Sequence, residues 1–381
     1  MGWERTKAFT RELPPAPSIL WWLLSGVLAL TAGILLFILH ASGTVKELRQ
    51  FSIWSLSLTP SGCWLLLLCF RCWLWGRAID EHAFLQKEAR LGQQQWEEWA
   101  GRHLAILGSC ILLPDGLTAA VIQSPASVVA SRASLTRRIH DEQNPVHHCL
   151  AGVQTALRGL PPELPLRVTV VSDFPSAQLT ETFATYWASL FPLRAPPVDI
   201  TVADTLSLAR VEERLKQPLL TVDLILMMQL NGGELYSDWL ASMLLTSDDV
   251  ARKYQLTHPA RLLRPMPLDM AAFDQDFTQF LETQTVACAT GRVLADALAW
   301  EKSAASLMSV GMSCGALWQP GDRLVLEKLC GIPGPLAPWL TVALASELVS
   351  LSKASLLTLF SSGTEHYVST VTSGSEDANN R

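Results

Sequence analysis

Two long apolar stretches lie close together near the start of the chain, and after them short apolar runs alternate with helical patterns. The first, residues 19–39 (ILWWLLSGVLALTAGILLFIL), carries no charge and matches the roughly 20 residues a helix needs to cross a bilayer. The second, residues 53–75, opens with Ser55, Ser57, Thr59 and Pro60 and then runs through CWLLLLCF. A polar connector, residues 40–52, separates the two and suits an antiparallel helical pair. Trp21 and Trp22 at the entrance of the first stretch, and Trp54, Trp73 and Trp75 around the second, stand where amphipathic rings prefer the membrane interface. Arg71, between Cys69 and Cys72, falls about one turn from the polar end, and its stem lets the charge reach the headgroups. The pattern predicts a transmembrane hairpin.

A cleaved leader is the alternative for the first stretch. Residues 1–18, however, mix Glu4 and Glu12 with their bases, and the apolar run exceeds the usual 7–15 residues of a signal peptide. Arg5, Lys7 and Arg11 precede the hairpin, and Arg71, Arg77, Lys87 and Arg90 follow or close it. The connector holds only Lys46 and Arg49. Both outer flanks therefore read as cytoplasmic.

Residues 76–102 lack β-branched runs, are rich in Glu, Gln, Ala and Leu, and predict a helix leaving the membrane. Beyond it, strands are expected at 103–113, 166–173, 198–204, 220–230, 238–247, 323–329 and 355–361. Helices are expected at 149–160, 176–190, 205–216, 273–300 and 337–350. Near-continuous apolar strands separated by helices imply an α/β domain with a partly parallel sheet covered on both faces. The domain is placed at 103–363, and the polar tail 364–381 is read as largely disordered. No repeat of 20–50 residues is visible.

Composition sharpens the boundary. Seven of the 14 tryptophans precede residue 76, so the excess hydrophobicity belongs to the hairpin and not to the domain. A net charge of −6 without a basic stripe argues against nucleic acid as a partner. The 8 cysteines follow no framework and fit a reducing compartment.

Candidate chemistry is sparse. Gly311-Met312-Ser313-Cys314-Gly315 fits G-x-S-x-G, which puts a nucleophilic serine on a strand-to-helix elbow with an acid and then a histidine downstream. Asp322 or Glu327, then His366, supply that order. Pro320-Gly321 follow too soon for the elbow's helix, so the motif reads as a small-residue turn. His147-His148-Cys149 lacks the further ligands that zinc requires and reads as the polar start of a helix. Cys69 and Cys72 have redox spacing inside the second span, not at a helix start after a strand. Asp173 and Asp204 end strands, where they serve equally as acids or as helix N-caps. Phosphate-binding, dinucleotide and H-E-x-x-H motifs are absent. No cofactor or metal is expected.

The paired spans, the tryptophan-rich run QQWEEWAGRHLAILGSCILLPDG (94–116) and CGIPGPLAPWLTVALASEL (330–348) resemble a membrane protein of bacterial type VI secretion clusters. That resemblance implies a non-catalytic inner-membrane accessory part, with connector 40–52 in the periplasm. The implied partners are the bilayer, other secretion-machine proteins and a second copy of the chain. The run LTVDLILMMQLNGGELYSDWLASMLLTS (220–247) is similar to the mid-domain strand-turn-strand of thiolase-like, ketoacyl-synthase-like domains. Those need a cysteine at a helix start and two histidines in glycine-rich settings. Cys149 lacks flanking small residues, and His258 and His366 lack the glycines, so a shared fold implies lost activity. The enzymatic alternative is a tethered hydrolase or degenerate acyltransferase using Ser313, Cys149 or His366.

Overall fold

The computed structural model describes residues 2–6, 8–43, 50–124, 133–140, 144–197, 199–217 and 219–374. The chain divides into two compact units, Arg5–Gln95 and Met1–Glu4 with Trp96–Arg381.

The first unit is a helical hairpin. Helix α1 (Ile19–Ser42) and helix α2 (Ile53–Ala100) are both long and apolar enough to cross a membrane. At 24 residues, α1 is roughly 36 Å long. Its apolar side chains face outward; only Gly26 and Gly33 are buried. These two glycines form the helix contact. A Cβ on Gly33 would lie 2.5 Å from the Ser57 carbonyl oxygen, and one on Gly26 would lie 2.9 Å from the Trp64 ring. Trp64 Nε1 donates to Ser25 Oγ at 3.0 Å. Small residues at the seam with large ones outside are how helices associate in lipid, where burial of apolar surface gives no drive.

The expected second span and exit helix are one continuous helix of 48 residues, because nothing between Trp75 and Ala78 breaks it. Arg71 is half-buried on it, and Arg77 stacks over Trp73 at 5.2 Å. The leader runs back along this helix. Trp75 Nε1 donates to the Pro14 carbonyl, Arg11 pairs with Glu81 at 2.6 Å, and Arg5 donates to Gln93.

The second unit is built twice over. Its first half contains β1 (His103–Leu112), α3 (Ala119–Gln123), α4 (Pro145–Gly152), α5 (Gln154–Arg158), β2 (Leu166–Ser172) and α6 (Ser176–Leu190). It continues with β3 (Asp199–Ala203), α7 (Ala209–Lys216), β4 (Val222–Gln229), β5 (Trp239–Ser247) and α8 (Asp248–Lys253). The second half contains β6 (Ala260–Leu263), β7 (Met266–Leu268), α9 (Phe273–Thr283), β8 (Arg292–Ala295), α10 (Ala304–Ser313) and β9 (Arg323–Val325). It ends with α11 (Leu326–Cys330), α12 (Ala337–Ser352), β10 (Leu356–Ser362) and β11 (Glu365–Ser373).

Among the described residues one sheet runs β3-β2-β4-β5-β1-β6-β11-β10-β8-β9, with β7 on β11. Outward from the middle, each half repeats one pattern. β1 and β5, then β5 and β4, are antiparallel, and β4, β2 and β3 are parallel. β6, β11, β10, β8 and β9 follow the same sequence of directions. The halves join where His103 pairs with Leu263 in the antiparallel β1–β6 contact.

Both faces of the sheet are covered. Along β1, Leu104 and Ile106 enter the cluster formed with α7 and α12, while Ala105 and Leu107 enter the one formed with α4 and α6. The α12 helix is apolar on almost every side and nearly all buried. Helices α9 and α10 cover the other face of the second half, and Trp3 joins them.

Three expectations change. The segment 273–300 is not one helix: α9 ends at Thr283 and β8 follows Gly291. Only Arg323–Val325 of 323–329 is strand, since the chain turns into α11. Half of the expected disordered tail is β11, paired with both β10 and β6. Its polar Ser369, Thr370, Thr372 and Ser373 are buried, and Ser369 Oγ donates to the Leu263 carbonyl at 2.8 Å. Residues 375–381 lie outside the described residues.

Candidate functional site

The serine of the G-x-S-x-G motif is the last residue of α10, so a helix precedes it where an elbow needs a strand. Its Oγ donates back to the Val310 carbonyl at 2.7 Å. Gly315 then closes the helix with φ +89°, and Gly311 lets the Trp318 ring approach within reach of its backbone. The acids that would follow are engaged elsewhere. Asp322 accepts from the Gln319 backbone at 2.8 Å, and Glu327 accepts from the Leu298 backbone at 2.8 Å.

Cys149 sits fifth in α4, buried, with Sγ 3.7 Å from the Ala241 carbonyl. His147 packs edge-on against Tyr186. Among the described residues no group of His, Cys, Asp or Glu could hold a metal ion. Cys69 and Cys72 are exposed on α2. His258 accepts from Arg261 Nε at 3.0 Å, and its ring lies 6.2 Å from that of His103. Burial pushes His103 down to about 4. Asp173 and Asp204 cap no helix: α6 begins after Pro175 and α7 after Leu208.

The structure does bring His366 into company that the sequence did not suggest. It lies opposite Ser361 in the β10–β11 ladder, and its ring meets Trp300 edge-on at 5.4 Å. Asp296, at the end of β8, accepts from Ser361 N and Oγ and from Trp300 Nε1. A serine, a histidine and an aspartate thus share one corner. The connectivity is wrong for a hydrolytic triad, in which the acid orients the histidine and the histidine takes the serine proton. Here the acid binds the serine directly. Burial raises Asp296 to about 6, against its hydrogen bonds to Ser361 and Trp300.

His366 also lines a cleft of about 920 Å³, within the usual size of ligand sites. Trp96, Trp99 and Tyr367 line it together with the carboxylates Glu4, Glu212, Asp269 and Glu365. Glu212 holds Arg264 at 2.6 Å and Lys216 at 3.3 Å. Arg264 lies 4.0 Å over the Trp99 ring and donates to the Trp99 carbonyl at 3.1 Å. Tyr367, bonded to Glu365, is pushed up to about 12, chiefly by burial. The cleft can seat a ligand, but no described nucleophile is hydrogen-bonded to His366.

The duplicated sheet finds its counterparts among solved structures. A chain from the complex of a type II PKS acyl-carrier protein with its ketosynthase matches at TM-score 0.50 and 11% identity, over 72% of this chain and 99% of that one. The fold of the second unit is thiolase-like. The 3-oxoacyl-[acyl-carrier-protein] synthase III of Aquifex aeolicus matches at TM-score 0.40 and 11% identity, over 70% of this chain and 99% of that one. An OleA variant of Xanthomonas campestris gives 0.45 and 11%, over 71% and 98%. No protein-family model matches the chain, and no curated protein matches it by sequence. At these identities the likeness is one of fold.

Proposed function

We propose that the chain is a membrane-tethered, thiolase-like protein that has lost acyl transfer and works by binding. The observation that carries this reading is the placement of the thiols. The thiolase-like resemblance requires a cysteine at a helix start, and none of the eight cysteines stands in the first turn of an α-helix. Cys149, the sequence candidate, is buried at mid-helix against the Ala241 carbonyl.

The tether is supported by the outward apolar faces of α1 and α2 and by the glycine seam between them. Trp3 precedes the hairpin and Trp99 ends it, yet both pack in the second unit. A hairpin whose two ends return to one domain leaves the N-terminus and that domain on the same side of the bilayer. The basic flanks favour the cytoplasmic side, and a bacterial inner membrane follows from the secretion resemblance. A docking role in a type VI apparatus fits a binding protein of this design and rests on that resemblance alone.

Catalysis is tested by release of free thiol from acyl-coenzyme A by full-length protein in detergent. No turnover above buffer is expected. Turnover abolished by Cys149→Ala, with the melting temperature unchanged, would show acyl-thioester chemistry at Cys149 and overturn the proposal.

A further inference from the structure

A second cleft, of about 520 Å³, lies along α7 and holds three arginines, Arg167, Arg210 and Arg214. The charges around it do not balance. Asp223 serves two of the arginines, taking Arg167 Nε at 2.7 Å and Arg214 Nη2 at 2.7 Å. Among the described residues the Arg210 side chain has no hydrogen bond or ion pair, and the acid on the lining itself is Glu213.

Arg214 is the unusual member. It is 6% exposed, and Nη2 is satisfied by Thr221 as well as Asp223. Its Nε and Nη1 are buried and have no acceptor. Burial and the neighbouring Arg167 and Arg210 hold its pKa below the usual arginine value, against the pull of Asp223. A chain rarely leaves guanidinium donors buried and unmet, because their desolvation is not recovered. An anion in the cleft would complete the set.

We propose that this cleft binds a small molecule through a phosphate group, with Arg214 and Arg210 as the principal donors and Arg167 beside them. Phosphate fits better than a single carboxylate because its three acceptor oxygens can meet two guanidinium forks at once in bidentate geometry. The volume admits a ligand larger than the anion itself. None of the thiols, serines or histidines discussed above lines this cleft, so the proposal stands independently of lost acyl transfer.

The test is calorimetric titration of full-length protein in detergent with sodium phosphate and with pyrophosphate, at ionic strength fixed by chloride, beside acetate as the carboxylate control. Saturable binding of phosphate or pyrophosphate is expected, at least tenfold tighter than acetate. Arg210→Ala should weaken it at least tenfold while leaving the ligand-free melting temperature unchanged, since no described residue bonds the Arg210 side chain. Arg214→Met should abolish binding if it folds. Absence of saturable phosphate and pyrophosphate binding, equal affinity for acetate, or undiminished binding by a folded Arg210→Ala would each overturn the proposal.

Discussion

Asp173 and Asp296 do the same work in the two halves of the sheet. Asp173 follows β2, donates its N–H to the Met228 carbonyl of β4, and accepts from the backbone of Leu230 two residues on. Asp296 follows β8, donates to the Leu359 carbonyl of β10, and accepts from Ser361 two residues on. Each carboxylate pins the end of one parallel strand to its neighbour. The pair is direct evidence that the duplication extends to side-chain chemistry.

Removing the clip should cost unequally. Asp296→Ala strands buried donors, Trp300 Nε1 among them, and should destabilise by about 3 kcal/mol. Asp173→Ala frees N–H groups beside exposed Asn231, which water can satisfy, and should cost about 1 kcal/mol. Chemical denaturation of the purified protein measures both. Equal losses would mean that burial does not separate the two sites.

Asp296 also predicts a pH dependence. Its folded pKa is about 6, above the ordinary 3.8, so the folded state holds the proton more tightly than the unfolded one. Its contribution to stability is then fully present below about pH 4 and declines as pH rises through 6. Asp296→Asn cannot titrate and should lose that slope, whatever its absolute stability. Melting temperatures across pH 4–8 decide it; parallel wild-type and variant curves would contradict the assignment.

Much of this architecture was legible in the sequence, and the failures have physical causes. The hairpin announces itself by the length of its two apolar runs, and β4 and β5, buried along their whole lengths, read as apolar runs. The sequence endings VVSD and VLAD are the trace of the duplication, too short to register as a repeat. Strand β8 was hidden because four residues between two helical patterns carry little periodicity. Strand β11 was hidden because its serines and threonines look solvent-exposed in the sequence, whereas pairing with β10 and β6 buries them. The arginine cleft was invisible because Arg167, Arg210 and Arg214 belong to separate elements that only the fold brings together.

Within the second unit, Trp99 should be sensitive to truncation. Trp99 meets Trp3 edge-on at 5.2 Å and carries Arg264 on its face at 4.0 Å. Trp99→Ala removes both contacts and should cost about 3 kcal/mol. Trp96, which touches Trp99 but stacks no cation, should cost less when truncated. Thermal melts in detergent rank the two, and the reverse order would show that these contacts are not organised around Trp99.

The proposed membrane tether predicts a topology. In a background lacking the native cysteines, Ser42→Cys should react with an impermeant reagent added from outside spheroplasts, and Glu234→Cys should react only after lysis. Labelling of both from the same side would rule out a transmembrane hairpin.

The central claim is that the thiolase-like domain no longer carries an acyl-accepting thiol. Acyl transfer would begin with a thiolate attacking the acyl carbonyl, forming a protein thioester and expelling coenzyme A as the leaving thiol. Intact-mass spectrometry of full-length protein after incubation with acyl-coenzyme A reads that step directly. An unchanged mass is predicted. A gain of one acyl group that disappears in Cys149→Ala would contradict the account.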